Sequence, residues 1–265
     1  MSEPKPFSRK IIWAAVILIG LMLGSWLYFT PAGLLGKADA VGYAVCHRIS
    51  ERSFHLDGRA VPLCIRCSGM YLGAFTGVLL QLGAKKKGGF PPRKFYPLMG
   101  LFILAFGVDG LNSYLHLFPN MPSLYEPQHW SRLLTGTLMG INIALIIYPT
   151  FNQTVWQEYD NSPAISCWCD LVGIILAGLV VSALAFTELS LLLYPLALIS
   201  ALTVVLLLTS VYSVLWILLL KRENSFNDWR SVFPVVLFGF GTTLLQIALF
   251  DLGRHLLTGS WSGFF

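Results

Sequence analysis

The chain has 265 residues, of which 55% are hydrophobic and only 12% are charged, and its mean hydropathy is +0.68. Soluble domains average about 25% charged residues, so this composition excludes an ordinary soluble protein and predicts an integral membrane protein. The net charge is +5, but no basic run interleaved with aromatic residues occurs outside the membrane-flanking positions. We therefore expect the lipid bilayer, and not a nucleic acid, to be the main partner.

Seven apolar stretches are long enough, or nearly so, to cross a bilayer as helices. A transmembrane helix needs roughly 20 mostly apolar residues, and these runs are continuous instead of alternating as in the strands of a β-barrel. We therefore predict an all-α, multi-pass bundle of about seven transmembrane helices, the first of them retained and not cleaved as a signal peptide. The stretches are 11–29, 68–84, 95–117, 132–149, 168–187, 190–220 and 232–256.

The distribution of Lys and Arg predicts the orientation of this bundle. With seven spans, eleven of the 18 basic residues fall on the side of the N-terminus and seven on the other side. The side richer in Lys and Arg is usually cytoplasmic. We therefore expect a protein of the cell membrane with a cytoplasmic N-terminus and an outward-facing first long loop, preceded by an interfacial segment near residues 32–43.

The stretch from residue 45 to residue 73 contains three of the five cysteines, two of the five histidines and four arginines. Its Cys64-x-x-Cys67 spacing is the one that many tetrahedral zinc sites use, and Cys46 with its neighbour His47 can complete the ligand set. We predict a zinc-type metal site on these four residues. Two histidines elsewhere are alternative fourth ligands, namely His55 and His129.

One ionisable residue, Asp109, lies inside the third apolar stretch, on one helical face with Asn112 and His116. An ionisable side chain inside a bilayer is expensive, so it marks a candidate site. We expect Arg132 to pair with Asp109 across the bundle or with Glu126 of the second loop. With an open metal position, Asp109, Arg132 and His47 form our candidate catalytic set.

Three arginines of the first loop are candidates for binding an anionic or lipid-linked small molecule. They are Arg48, Arg52 and Arg66. Positively charged side chains are unusual in a translocated loop, and this favours an anionic ligand as the reason for their presence.

Glycines at four-residue spacing predict which helices are neighbours. Gly69, Gly73 and Gly77 occur on the second apolar stretch, and Gly136 and Gly140 on the fourth. Small residues at this spacing let helix backbones approach closely in lipid, so we expect these two helices to pack together.

Near the opposite end of the bundle, we expect Cys167 and Cys169 to be packing thiols.

A pattern of Cys, Arg, Gly and aromatic residues resembles the bacterial and archaeal membrane family catalogued as domain of unknown function 2085. The resemblance covers residues 42–145 and implies a polytopic membrane protein with no established activity. It suggests three parts, namely residues 1–41, the family region 42–150, and three further membrane helices in 151–265. The matching residues are Cys46-His47-Arg48, Arg52-Ser53-Phe54, Pro62-Leu63-Cys64-x-Arg66-Cys67-Ser68-Gly69-x-Tyr71-x-Gly73, Asp109-Gly110 and Arg132-x-x-Thr135-Gly136 with Gly140.

Two alternatives to a metal site remain open on the sequence. A Cys-x-x-Cys at a helix N-terminus with a third cysteine nearby also fits a membrane thiol-disulfide oxidoreductase coupled to quinone. The other alternative is a transporter or scaffold with a structural disulfide. Its substrate path would be lined by Asp109, Asn112, Arg132 and Asp251.

Overall fold

The computed structural model describes residues 7–118 and 123–261, and within them the chain is a bundle of eight α-helices. Short strands add a β-hairpin, β1 (His55–Leu56) with β2 (Arg59–Ala60), and a parallel pair, β3 (Lys87–Gly89) with β4 (Asp160–Pro163). The helices are α1 (Arg9–Phe29), α2 (Gly33–Val45), α3 (Ile65–Leu82), α4 (Tyr96–Leu115), α5 (His129–Val155), α6 (Trp168–Phe186), α7 (Ser190–Leu219) and α8 (Trp229–Thr258).

Six of these helices, namely α1 and α4 to α8, are long and apolar enough to cross a membrane. This confirms the prediction of a multi-pass membrane helix bundle. The remaining predicted span, α3, has 18 residues and is about 27 Å long. It also carries polar side chains such as Arg66, Thr76 and Gln81, which explains why it is less apolar than the other spans.

Helix α3 is the helix that packs most closely against another, and its partner is α5. A Cβ atom added at Gly73 would overlap the backbone of Thr137, and one added at Gly140 would overlap the backbone of Met70. Only glycine permits this distance between two helix backbones. The expectation that the second and fourth apolar stretches are neighbours is thus confirmed.

The loops at the start of α3 and before α5 meet at one end of the bundle, together with the turn between α6 and α7. His129 Nε2 lies 3.1 Å from the carbonyl oxygen of Glu51, and the backbone N–H of His55 donates to Glu188 Oε2 at 3.0 Å. At the opposite end, Lys86 Nζ donates to the carbonyl oxygen of Asn227 at 2.9 Å. We call the first of these two ends the cysteine end.

The segment that was expected to lie along the membrane interface forms helix α2 and packs against α7 and α8. Most of its second half is buried, including Asp39, Ala40 and Tyr43. A Cβ atom at Gly42 would overlap the carbonyl of Pro62, so the helix is pressed onto the chain that enters α3. This packing directs the end of α2 toward the start of α3.

Candidate metal centre

Three cysteines converge at the cysteine end of the bundle. Cys46 is the C-terminal cap of α2, Cys64 is the N-terminal cap of α3, and Cys67 lies in the first turn of α3. Their sulfur atoms all lie within 4.8 Å of one another. The backbone N–H of Cys64 donates to Cys46 Sγ at 3.3 Å, which holds the end of one helix against the start of the other.

The thiol cluster has apolar surroundings. Cys46 is 6% exposed, and it packs in a core cluster with Ala38, Val41, Leu63 and Val204. All five cysteines of the chain lie in its described part and are free thiols.

The spacing of the sulfur atoms fits a tetrahedral metal ion. Zn–S bonds of about 2.3 Å place two sulfur ligands about 3.8 Å apart. Sulfur atoms that already lie within 4.8 Å of one another reach this spacing through side-chain adjustments on the order of 1 Å. Three cysteine sulfurs on adjoining helix ends therefore fit a zinc-type ion.

The three thiols also share a negative charge. Hydrogen bonds from the thiols of Cys64 and Cys67 lower the pKa of Cys46, whereas the interaction with Cys46 raises the pKa of Cys64. One sulfur is thus stabilised as the thiolate, the form that binds metals, while its neighbours retain their protons until a cation displaces them.

None of the candidate histidines joins this cluster of ligand atoms. Among the Cys, His, Asp and Glu residues of the described chain, the three cysteines are the only group that converges in this way. His55 Nε2 lies 3.1 Å from Ser50 Oγ, and His129 contacts the backbone of Glu51. His47 follows Cys46 directly, but its ring lies outside the group, so its role as a ligand stays a prediction.

The partner of Asp109 is Arg66, and not Arg132 as expected. Arg66 Nε donates to Asp109 Oδ2 at 3.0 Å, and Nη2 donates to Ser113 Oγ at 2.7 Å. Arg66 lies at the start of α3, and its side chain extends to α4, where Asp109 is 2% exposed. The carboxylate of Asp109 therefore binds α4 to the helix turn that contains Cys67.

Asp109 also organises the second loop of the cysteine end. Its Oδ1 accepts hydrogen bonds from the hydroxyl of Tyr125 at 2.7 Å and from Ser131 Oγ at 3.1 Å. Burial, followed by the hydrogen bond to Asp109, raises the pKa of Tyr125 to about 12. Asn112 supports the same loop, because its side-chain amide donates to the carbonyl oxygen of Tyr125 at 2.9 Å.

A second carboxylate, Asp39, binds arginines and was not predicted to do so. Its Oδ1 lies 2.8 Å from Arg48 Nη2, and its other oxygen forms an ion pair with Arg59. A lone acidic residue in a short apolar helix is the sequence signal that could have identified it. Because this ion pair engages Arg48, that residue is a weaker candidate for binding an anionic ligand than Arg52.

Helix α8 contacts the site through Arg254. Its Nη1 donates to the carbonyl oxygens of Tyr43 at 2.6 Å and Cys46 at 2.7 Å, and its Nη2 donates to that of His47 at 3.1 Å. Arg254 therefore caps the C-terminal end of α2, where backbone carbonyls lack partners within the helix.

Several residues proposed for a transport path are not brought together. Asp251 lies 3% exposed on α8 and accepts a hydrogen bond from Trp26 Nε1 at 2.8 Å. It lines a cavity of about 690 Å³ that none of Asp109, Asn112 and Arg132 lines.

The two remaining cysteines, Cys167 and Cys169, are exposed and lie at the start of α6, far from the cluster in the sequence. Instead of packing in a core, Cys167 caps the helix, since its sulfur accepts a hydrogen bond from the N–H of Asp170 at 3.3 Å. They serve as natural controls for the three clustered thiols.

Comparison with known proteins places the three clustered cysteines, Arg66, Asp109 and Arg132 in a family region. Residues 46–146 match a family model described as "Predicted membrane protein (DUF2085)". An uncharacterized protein of Methanocaldococcus jannaschii is 29% identical over 121 residues, which are 45% of this chain and 72% of that protein. An uncharacterized protein of Methanothermobacter thermautotrophicus is 30% identical over 102 residues, which are 38% of this chain and 83% of that protein. No solved structure matches the chain.

Proposed function

The chain belongs to the DUF2085 family of predicted membrane proteins, and we propose that its three clustered cysteines bind a zinc-type metal ion. The ion would lie at one end of the membrane helix bundle. Following the distribution of Lys and Arg, we propose that this end faces outward from the cell membrane. The ligands in this proposal are Cys46, Cys64 and Cys67.

The convergence of three sulfur atoms is the single observation that carries this proposal. The ligands come from two helix ends, and 17 residues separate Cys46 from Cys64 along the chain. Thiolates are soft ligands that favour zinc and related ions over magnesium or calcium. The apolar surroundings of the cluster strengthen the attraction between a cation and the thiolates, because they exclude water.

The fourth coordination position distinguishes a structural ion from a reactive one. Structural zinc sites are closed by four protein ligands, whereas reactive sites have three and keep a position for water or substrate. In the described residues, three ligand atoms converge and no imidazole joins them. This supports an open position, with His47 as the nearest candidate for a fourth ligand or a base. A bound ion would supply a Lewis acid at that position.

Asp109 has a supporting role in this proposal. Both of its oxygen atoms already accept hydrogen bonds, from Arg66 on one side and from Tyr125 and Ser131 on the other. A carboxylate bound in this way is a weak base, because the donors stabilise its charged form. We therefore propose that Asp109 positions Arg66 and the start of α3.

The arginines around the cluster favour an anionic or lipid-linked ligand.

Elemental analysis of the purified protein tests the metal proposal directly. We expect about one zinc ion per chain in the wild type and in Cys169→Ser, and loss of zinc in Cys64→Ser and Cys46→Ser. Cys169→Ser is the matched control, because it removes an exposed thiol outside the cluster. Protein without metal, in which two of the three clustered thiols are oxidised, would refute the proposal.

A quinone-coupled thiol oxidoreductase is the second candidate, and a specific observation favours it. An apolar cavity of about 270 Å³ is lined by Trp26, Ala38, Val41 and Ala201, which also pack around the thiol cluster. A quinone ring in that cavity would contact residues of the apolar core that also contains Cys46. Thiol counting separates the two candidates, since a redox protein gains two thiols on reduction whereas a metal site releases its ion and keeps three.

A further inference from the structure

We propose that Arg52 and Arg132 form a binding site for a phosphate-type oxyanion beside the thiol cluster. This inference deepens the proposed function. It rests on the proposed metal centre in one respect only, namely that the anion is the ligand presented to that centre. The anion site itself is formed by protein groups and does not require the ion. It can therefore be tested separately.

The first observation is an arginine whose buried Nε has no hydrogen-bond partner and whose Nη atoms reach solvent. Arg132 is 6% exposed, and its Nε is buried with no hydrogen-bond partner. Its other guanidinium nitrogens also donate no hydrogen bond to any residue in the described ranges. Buried charges in proteins are normally paired and hydrogen-bonded, because leaving water without compensation is costly. The Nε of Arg48 is also buried without a hydrogen-bond partner, but its Nη2 pairs with Asp39. Arg132 differs in that none of its guanidinium nitrogens contacts a hydrogen-bond acceptor of the described chain, and an anionic ligand would explain this.

Other arginines of this end show what a structural arginine looks like here. Arg48 pairs with Asp39, Arg66 pairs with Asp109, and Arg254 donates to three backbone carbonyls. Each of them connects two elements of the bundle. Arg132 makes no connection of this kind within the described chain.

Arg52 is the second member of the proposed site. It ends the short 3-10 turn Ser50–Arg52, is half-buried, and likewise donates no side-chain hydrogen bond to a described residue. Arg52 and Arg132 act electrostatically on each other, and both act on Arg66 and on the thiol of Cys64. The two arginines therefore converge beside one of the proposed metal ligands.

The charges at this place do not balance. Asp109 is already bound to Arg66, and the other nearby acid, Glu51, is exposed to solvent next to Arg52. Among the described residues, no carboxylate thus pairs with either guanidinium group, and the negative charge nearest to them in the core is the one on the thiol cluster. The start of α5 adds positive potential, because its N-terminal cap residue, Gln128, makes no side-chain capping hydrogen bond.

Close helix packing keeps these like charges together. A Cβ atom at Gly136 would overlap the carbonyl of Arg66, and one at Gly69 would approach the carbonyl of Leu133. The first turns of α3 and α5 are therefore in backbone contact, and Arg132 cannot move far from Arg66. Repulsion that is preserved by the packing would be relieved by a bound anion.

The chemistry of the two arginines selects the class of anion. Guanidinium groups bind oxyanions through two parallel N–H···O bonds, so two arginines together need more than the two oxygens of a carboxylate. A phosphate monoester has three terminal oxygens and a charge near −2, which suits two guanidinium groups that no carboxylate of the described chain pairs. Free phosphate and the headgroup of phosphatidic acid share this chemistry.

The test uses the full-length protein in a non-ionic detergent with gluconate as the only other anion. Thermal unfolding is followed by intrinsic fluorescence while inorganic phosphate is added. We expect phosphate to raise the Tm of the zinc-free wild type and to have no effect on Arg132→Gln. Without phosphate, Arg132→Gln should unfold at a higher temperature than the wild type, because the substitution removes an uncompensated buried charge.

Arg66→Gln is the matched control, since it removes an arginine of the same end that has a structural partner. It should lower the Tm in the absence of phosphate, because it leaves Asp109 unpaired. Arg132→Lys should regain part of the response to phosphate, since it restores the charge without the planar fork. The proposal is overturned if the Tm of the wild type responds neither to phosphate nor to phosphatidic acid. It is also overturned if Arg132→Gln responds to phosphate as the wild type does.

Two further arms separate the ligand source and the metal. Phosphatidic acid in mixed micelles replaces inorganic phosphate in one arm, and a response to it alone identifies a lipid headgroup as the ligand. In the other arm, Cys46→Ser is titrated with phosphate. A retained response in Cys46→Ser shows that the anion site does not need the ion. In the wild type, a response to phosphate together with absent zinc refutes the metal centre and supports the anion site, whereas bound zinc without any response to phosphate or phosphatidic acid does the reverse.

Discussion

Arg66 and Asp109 form a buried ion pair between α3 and α4, with Arg66 Nε 3.0 Å from Asp109 Oδ2. Arg66 also donates to the backbone carbonyl oxygen of Asp109 at 2.9 Å. Arg66 lies between Cys64 and Cys67 in the sequence, so the pair fixes the turn that positions both sulfurs. The second loop is connected to the same carboxylate through Tyr125.

Removing one partner of the Arg66–Asp109 ion pair should destabilise the protein more than removing both partners. We expect Asp109→Asn to destabilise the protein by about 3 kcal/mol, because the Arg66 charge is left uncompensated. The double variant Asp109→Asn, Arg66→Gln should lose less than the sum of the two single variants. Urea or thermal unfolding of the four proteins in one detergent measures this coupling. Additive losses would show that the pair does not act as a unit.

Tyr125→Phe should weaken the second loop in a pH-dependent way. The lost hydrogen bond to Asp109 contributes about 0.5–1 kcal/mol at a partly exposed position. Folding raises the pKa of Tyr125 to about 12, so the contribution is complete below about pH 10 and is lost as the pH rises through 12. The difference in Tm between wild type and Tyr125→Phe should therefore shrink between these pH values. A constant difference would contradict the hydrogen bond.

Metal binding should release protons from the thiol cluster. At neutral pH the raised pKa of Cys64, caused by its interaction with Cys46, keeps that thiol protonated until the ion displaces the proton. The apparent affinity for zinc should therefore rise with pH. Calorimetric titrations in two buffers with different heats of ionisation measure the number of protons released. Binding with no proton release would show that the sulfurs of Cys64 and Cys67 are not ligands.

Replacement of a glycine in the α3–α5 contact should separate these helices. Gly73→Ala places a methyl group in the backbone of Thr137 and should cost about 1–3 kcal/mol. Gly173→Ala in α6 is the control, because nothing lies within 4 Å of its added Cβ and alanine favours a helix. Thermal unfolding of the two variants compares them. Equal stability of both would show that the close approach is not required.

The sequence predicts most of the bundle because each membrane helix corresponds to a continuous run of apolar residues. All seven predicted stretches overlap observed helices, and the glycine spacing identifies the α3–α5 contact. The placement of Cys64 and Cys67 could also be anticipated, since Cys64 is the N-terminal cap of α3 and Cys67 lies in its first turn. These features depend on local composition and on small side chains, both of which can be read from the chain directly.

The side-chain partners could not be predicted in the same way. Arg66 and Arg132 both lie in the first turn of a helix at the cysteine end, and only the rotation of α3 and α5 about their axes determines which of them faces Asp109. The buried role of Asp39 depends on how α2 packs against the rest of the bundle. Such rotations follow from packing between segments that are distant in the sequence. Neither apolar runs nor residue spacing predicts that packing.

Arg254 connects the far end of the chain to the first cysteine. It lies on α8, more than 100 residues after the family region, yet it binds the backbone carbonyl of Cys46. A shift of α8 along its axis would pull on this carbonyl and change the distance between Cys46 and the other two sulfurs. Helix α8 is thus mechanically coupled to the thiol cluster. A force or ligand that displaces α8 would change the position of Cys46, far away in the sequence.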